Sequence, residues 1–300
     1  MNKNLDLARS LKLPTREMTL QREHSVHEFW LNNKTLLKNA WLEWEKAENI
    51  NPLSNSLLDK HLTKTVQQAW NNPEKEIEVR ELIEEVSPGV YQFQFFDPEK
   101  LLELRNYLKK IEESNIPLRS PYGIVLNRKG AMLDQRSEGY LAAPVFQDFY
   151  KNLIDIYMRP ISRLLFPEIM GFDTQPFGFS IQYQVGMDTS IRMHTDASSV
   201  TLNINLNLPE EKFTGSEVDF IDPVTHNRNR VTFKPGVAVL HRGNIAHEAQ
   251  HITSGERTNF IFWLFGDQMQ IPRFENAEEK YTPKIRWTVP NEPYDQFAPF

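Results

Sequence analysis

Residues 200–208 read VTLNINLNL, and their strict alternation decides the fold. Val200, Leu202, Ile204, Leu206 and Leu208 fall on one side of an extended chain and Thr201, Asn203, Asn205 and Asn207 on the other, because successive strand side chains point to opposite faces. A solvated strand face usually carries Lys, Glu or Thr, whereas a row of short amides suits the lining of a polar cavity. Upstream, Phe177, Phe179, Ile181 and Tyr183 alternate with Gly178, Ser180, Gln182 and Gln184 in the same way. Downstream, short β-rich runs at 217–221, 230–233, 237–241 and 258–265 are separated by Gly, Pro, Asn and Asp. Several short strands punctuated by turn residues predict an all-β sandwich or barrel.

The chain before this region has a helical period. Trp30, Leu31, Leu36, Leu37, Ala40, Trp41 and Trp44 recur every three or four residues between Glu23 and Glu48, which predicts a helix whose aromatics pack against the barrel. A second helix is expected over Asn55–Trp70, closed by the turn Asn71-Asn72-Pro73. The β-branched and aromatic residues of 79–96 predict a hairpin turning at Pro88-Gly89. Asp97-Pro98 then caps a helix to about Asn115, and another spans Ala143–Leu165. The expected division is a helical extension over 1–84, a domain over 85–270 with its core at 176–267, and an acidic, Pro-rich tail over 271–300 that wraps the barrel.

Composition narrows the function. Across 300 residues, 34 basic side chains face 40 acidic ones, a formal charge of −6 that is a poor match for general nucleic-acid binding. Cysteine is absent, which removes disulfides, thiolate zinc sites, iron–sulfur clusters and Cys nucleophiles. The polar N-terminus lacks the apolar core of a signal peptide, and no stretch approaches the length of a membrane span. A cytoplasmic protein is expected, or a nuclear one in a eukaryote.

Chemistry concentrates just before the amide-bearing strand. In His194-Thr195-Asp196 the two outer side chains point the same way on an extended chain and can place an imidazole and a carboxylate on one metal ion. A non-haem iron centre of two His and one carboxylate needs a second His from elsewhere, for which His226, His241, His247 and His251 are candidates. Arg257 opens the last strand and offers a planar fork that binds a carboxylate in bidentate fashion.

Taken in order, His194-Thr195-Asp196, Thr201-Leu202-Asn203-Ile204, Gly215-Ser216-Glu217, Pro235-Gly236, His247 and Arg257 resemble the catalytic core of the Fe(II)/2-oxoglutarate-dependent dioxygenases, most of all the prolyl- and lysyl-hydroxylase branch. Ser216 stands where the family's turn has its second glycine, and His247-Glu248-Ala249 replaces the common His-Glu-Gly. The resemblance implies a double-stranded β-helix of the jelly-roll (cupin-like) type, mainly β with flanking helices. It selects His247, ten residues before Arg257, as the second ligand beside His194 and Asp196. It further implies Fe(II) as metal, 2-oxoglutarate and dioxygen as cosubstrates and ascorbate as a reductant. Arg257 would anchor the cosubstrate's far carboxylate, Tyr183 would hydrogen-bond it, and Thr201, Asn203 and Asn259 would line its pocket. The implied reaction hydroxylates a C–H bond, such as one on a Pro or Lys side chain of a protein, and releases succinate and carbon dioxide. A small-molecule hydroxylase and a non-catalytic scaffold that keeps the barrel are the alternatives. His241 and His251 sit near the selected ligand in sequence, and Arg192 and Arg242 could meet an anionic substrate group, although each also reads as an ordinary surface residue.

Overall fold

The first six residues of the alternating stretch at 200–208 become a central strand largely buried on both faces, and the strand ends at Asn205. In the computed structural model, which describes residues 3–121, 129–273, 281–291 and 294–297, the strands in chain order are β1 (Glu84–Ser87), β2 (Val90–Gln94), β3 (Gln175–Gln184), β4 (Ile191–His194), β5 (Val200–Asn205), β6 (Thr214–Gly215), β7 (Val218–Ile221), β8 (Arg228–Val231), β9 (Val237–Arg242), β10 (His247–Ala249), β11 (Ile252–Ser254) and β12 (Glu256–Phe265). They pair antiparallel into a six-stranded sheet ordered β1-β2-β9-β5-β12-β3, a four-stranded sheet ordered β4-β10-β7-β8, and the small pair β11-β6. Followed along the chain, β3, β5, β9 and β12 lie in the large sheet, while β4, β7, β8 and β10 lie in the small one. This is the double-stranded β-helix expected from the sequence, with the β1–β2 hairpin extending its larger sheet.

The two faces of the large sheet explain the alternation. Leu202 stands opposite Leu240 on β9 and Phe262 on β12, and these three belong to a core shared with the helices. Phe177, Phe179, Ile181, Val239, Ile261 and Trp263 project the other way and join Val218 and Phe220 of the small sheet in a second core. Polar residues of β5 point into that second space.

The helices are α1 (Lys3–Arg9), α2 (Arg16–Leu20), α3 (His24–Ala47), α4 (Lys60–Asn71), α5 (Glu76–Arg80), α6 (Leu101–Glu113), α7 (Pro144–Asn152), α8 (Arg159–Leu165) and α9 (Pro283–Arg286). Among the described residues no helix is long and apolar enough to cross a membrane. Trp30, Trp41 and Trp44 are buried on α3, but their partners are other helical-layer side chains rather than the barrel. Trp44 meets Tyr107 edge-on at 6.4 Å, Tyr107 stacks on Phe146, and only Phe146 reaches the sheet, at Phe260.

Local chemistry moved several boundaries. The helix expected over Asn55–Trp70 is broken at Leu58, which bridges to Phe96, and α4 restarts on Asp59, whose side chain accepts from the Leu62 N–H. Val79 sits on α5, so the hairpin begins only at Glu84. Asp97 caps its own turn through the Glu99 N–H, and α6 starts later, at Leu101. A π-helical turn, Leu153–Met158, joins α7 to α8. Pro160 has no N–H to give the carbonyl of Ile156, which accepts instead from the Trp70 indole at 3.0 Å. In the tail, Trp287 is buried and donates to Glu76, which also pairs with Arg286, while Thr288 accepts from Arg163. That part of the tail therefore docks on α5 and α8 instead of the barrel, and Asp295 further on reaches Arg136 and Gln175 at the start of β3.

Candidate metal and carboxylate site

The antiparallel pairing of β4 with β10 sets His194 directly opposite His247 and brings their rings to 4.3 Å between centroids. Asp196 leaves β4 in a turn held by its N–H on the Gly243 carbonyl. A side chain at Gly243 would lie 2.0 Å from the Ser198 carbonyl, so this close approach needs glycine. One ligand atom from each of His194, Asp196 and His247 fits within 4.8 Å of the others.

Each imidazole is oriented by its own strand. The Nδ1–H of His194 donates to the Arg192 carbonyl at 2.7 Å, and that of His247 to the Ile245 carbonyl at 2.9 Å. Both rings are thereby left with Nε2 lone pairs facing Asp196, the arrangement a metal ligand requires. Burial holds His247 below the ordinary imidazole range, which keeps it unprotonated. The Asp196 Oδ2 accepts from Thr201 Oγ1 at 2.5 Å, fixing the carboxylate from the neighbouring strand.

Arg257, the second residue of β12, stands opposite Tyr183 of β3. Its guanidinium lies over the rings of Tyr183, at 4.7 Å, and Phe233, at 4.9 Å, and Nη1 donates to the Ser216 carbonyl. It is 1% exposed, makes no ion pair among the described residues, and its Nε–H has no partner. Desolvation pushes its pKa down to about 10. Burial in turn raises the Tyr183 phenol, an effect that the neighbouring Arg257 charge opposes.

One cavity of about 420 Å³ collects these groups. His194, Asp196, His247, Tyr183, Thr201, Asn203 and Arg257 line it, with Ile191, Ile261 and Trp263 as apolar wall. Asn259 stands behind that lining: its Nδ2 donates to Asn203 Oδ1 at 2.5 Å, and its Oδ1 accepts from Asn205. Asn205 and Asn207 are buried and satisfy each other and the β12 backbone, so only Asn203 of the amide row faces the cavity. Arg192 lines the cavity on the exposed β4, whereas Arg242 turns to Glu168 and Phe166. His251 is exposed beside Thr189, and His226 lies in the exposed β7–β8 turn.

His241, which the sequence offered as a candidate but did not assign to the site, lines the cavity. Fully buried on β9, it gives its Nδ1–H to the Arg242 carbonyl and aims Nε2 at Asp196 Oδ2 from 3.9 Å. Desolvation, with His247 alongside, pushes it down to about 4. Its sequence signals were membership of the His set from which His247 was chosen and its closeness to that ligand along the chain.

Comparison with known proteins agrees with this geometry. An OGFOD2-like domain model matches residues 45–171. The 2-oxoglutarate and iron-dependent oxygenase domain-containing protein ICU11 of Arabidopsis thaliana is 30% identical over 191 residues, covering 59% of this chain and 45% of that protein. The 2-oxoglutarate and iron-dependent oxygenase domain-containing protein 2 of Xenopus tropicalis is 32% identical over 187 residues, 58% of this chain and 48% of that protein. The chain thus spans about half the length of the curated relatives it matches. Among solved structures, a Pseudomonas putida prolyl-4-hydroxylase superposes with a TM-score of 0.42 at 14% identity, covering 68% of this chain and 98% of its own. The relatives, the strand order and the His-Asp-His cluster all liken the chain to the 2-oxoglutarate- and iron-dependent oxygenases.

Proposed function

We propose that this chain is an Fe(II)- and 2-oxoglutarate-dependent hydroxylase whose catalytic core, 176–267, lies within a domain over 85–270, preceded by a helical extension over 1–84 and followed by the tail over 271–300. The observation that carries the reading is a single cavity holding both a two-His, one-carboxylate cluster and a buried guanidinium that makes no ion pair among the described residues. The donor set suits Fe(II), because two imidazoles and one carboxylate occupy one side of a metal and leave positions free. The guanidinium suits a dicarboxylate, because a buried charge is costly until a partner of opposite sign meets it.

In this reading His194, Asp196 and His247 hold the metal, and Thr201 fixes the carboxylate that completes the set. Arg257 takes the distal carboxylate of 2-oxoglutarate, Tyr183 offers its hydroxyl, and Asn203, braced by Asn259, supplies a polar wall. When bound, iron and 2-oxoglutarate supply the oxygen activation that hydroxylates a C–H bond and releases succinate and carbon dioxide, with ascorbate sustaining the reduced metal. The apolar wall excludes water from the reacting centre.

The substrate we propose is a Pro or Lys side chain of a polypeptide. The cavity is near the small end of ligand-site volumes, enough for the cosubstrate and one further side chain. β4 is an edge strand with Arg192 and Met193 exposed beside His194, so an extended backbone can lie along the mouth while one side chain enters. Succinate release from 2-oxoglutarate should be lost in Asp196→Ala with the fold intact. Pro- or Lys-containing peptides should stimulate the wild-type rate, and free amino acids should not. Undiminished turnover in folded Asp196→Ala overturns the metal assignment, and stimulation by free amino acids alone overturns the polypeptide.

A further inference from the structure

A second cavity, of about 340 Å³, lies across β3 from the His-Asp-His cluster. Phe179 of β3 faces the cavity of that cluster, whereas Gly178 turns the other way, and a side chain there would lie 2.8 Å from the Tyr150 ring that lines the second one. The π-helical turn Leu153–Met158 and α8 bring Asp155 and Arg159 to its wall. Such turns within helices are frequent at functional sites.

Arg159 is the anomaly. It is 1% exposed, yet among the described residues only its Nη2 is engaged, donating to Asp155 Oδ1 at 2.9 Å. Nε and Nη1 have no partner, which leaves one N–H on the first and two on the second unmet. A guanidinium held for its ion pair alone would set two parallel N–H groups on both carboxylate oxygens. Here the carboxylate takes a single bond, and the remaining donors bear their desolvation without compensation on a residue that lines a cavity.

The charges around the cavity choose the ligand. Asp134 is already committed: its Oδ1 accepts from the Arg136 backbone and guanidinium, and its Oδ2 from Tyr150. The charged side chains that remain in the lining are Asp148 and Asp155 against Lys151 and Arg159. An isolated anion, phosphate for instance, would unbalance that wall, whereas a ligand with one group of each sign preserves it. Val289, Pro290 and the Tyr294 ring supply contacts for an apolar part. The volume is at the small end of ligand sites, which suits a molecule of amino-acid size.

We propose that this cavity binds an apolar α-amino acid, its carboxylate on the free donors of Arg159 and its ammonium between Asp155 and Asp148. The site is separated by β3 from the His-Asp-His cluster and does not depend on the function proposed above.

Titration calorimetry of the full chain with L-leucine, L-valine and L-methionine tests this. At least one should bind with a dissociation constant of about 1 mM or below. Arg159→Lys keeps a cation beside Asp155 but loses the fork, and should weaken that acid about tenfold or more. Asp148→Asn, at an exposed position, should weaken it about threefold with the melting temperature unchanged. Asp196→Ala should bind it as wild type does. Analogues that lack one charged group, 4-methylpentanoate and 3-methylbutylamine in the case of leucine, should bind about tenfold more weakly. No binding by any of the three acids, undiminished binding in folded Arg159→Lys, or binding lost in Asp196→Ala overturns the proposal. So does inorganic phosphate or a singly charged analogue that binds as tightly as the amino acid. If Arg159→Lys does not fold, unchanged affinity in Asp148→Asn overturns it instead.

Discussion

Replacing Arg257 by Met should separate two properties that usually fall together. The guanidinium keeps its proton, but burial lowers its pKa from the ordinary open-chain value to about 10 in the fold. Both states are protonated at neutral pH, but the charge is disfavoured in the folded one, and the difference opposes folding by about 3 kcal/mol at any pH below the folded value. That penalty disappears with the charge. Against it stand the hydrogen bond to the Ser216 carbonyl and the contacts with the Tyr183 and Phe233 rings, together about 2–3 kcal/mol. Arg257→Met should therefore leave the ligand-free protein as stable as wild type within about 1 kcal/mol, although it truncates a fully buried side chain. The ligand response should vanish. At 100 times its dissociation constant, 2-oxoglutarate adds about 2.7 kcal/mol to the wild type by mass action, and should add nothing to the variant. Chemical denaturation of the Mn(II)-loaded proteins with and without 2-oxoglutarate measures both quantities. A variant that loses several kcal/mol without ligand, or that keeps the ligand-induced gain, would refute the reading of Arg257 as a cation waiting for its counter-ion.

Three further outcomes follow from the geometry. Thr201→Val removes the hydroxyl that holds Asp196 and should weaken Co(II) affinity by about 10- to 100-fold in competition titrations, with the melting temperature little changed. His241 is held neutral in the metal-free fold at about 4 against an ordinary 6.5, so its contribution to stability is present above pH 6.5 and is lost as pH falls toward 4, by about 3 kcal/mol in all. His247 acts in the same direction. Urea denaturation of the metal-free protein at pH 7.5 and pH 5 should show about 2 kcal/mol of that loss, and His241→Asn should reduce it; an equal loss in both proteins would refute the assignment. Trp44→Ala should cost about 3–5 kcal/mol of stability, because Trp44 joins α3 to the aromatic column running through Tyr107 and Phe146 to the sheet. A loss below about 1 kcal/mol would mean that the helical layer folds apart from the barrel.

What could be read in advance depended on whether a face was long enough to carry a pattern. β3 and β5 were legible because each buries an apolar row on one side for several residues, and α3 because six of its buried side chains recur at helical spacing. β4 and β10, which carry the two histidines, span four and three residues and were missed as strands. No periodicity survives in so few residues, and their place is set by pairing with each other and with β7. The pairing of His194 with Asp196 was visible from their spacing, but the choice of His247 came from the family resemblance. His241 lies in the same cavity because β9 returns beside β5, a contact 40 residues apart between Thr201 and His241 that local pattern cannot report. Backbone events were the least legible. The π-helical turn depends on Pro160 releasing a carbonyl to a tryptophan on another helix, and the left-handed backbone at Gly215 accompanies the close approach of the His251 carbonyl.

Anaerobic addition of Fe(II) and then 2-oxoglutarate to the metal-free protein tests the central claim most directly. The expected result is a visible charge-transfer band that needs both additions, that is absent from His194→Ala and Asp196→Ala, and that gives way to succinate when air is admitted. Tight Fe(II) binding with no band on adding 2-oxoglutarate, or a band that survives in folded Asp196→Ala, would contradict it.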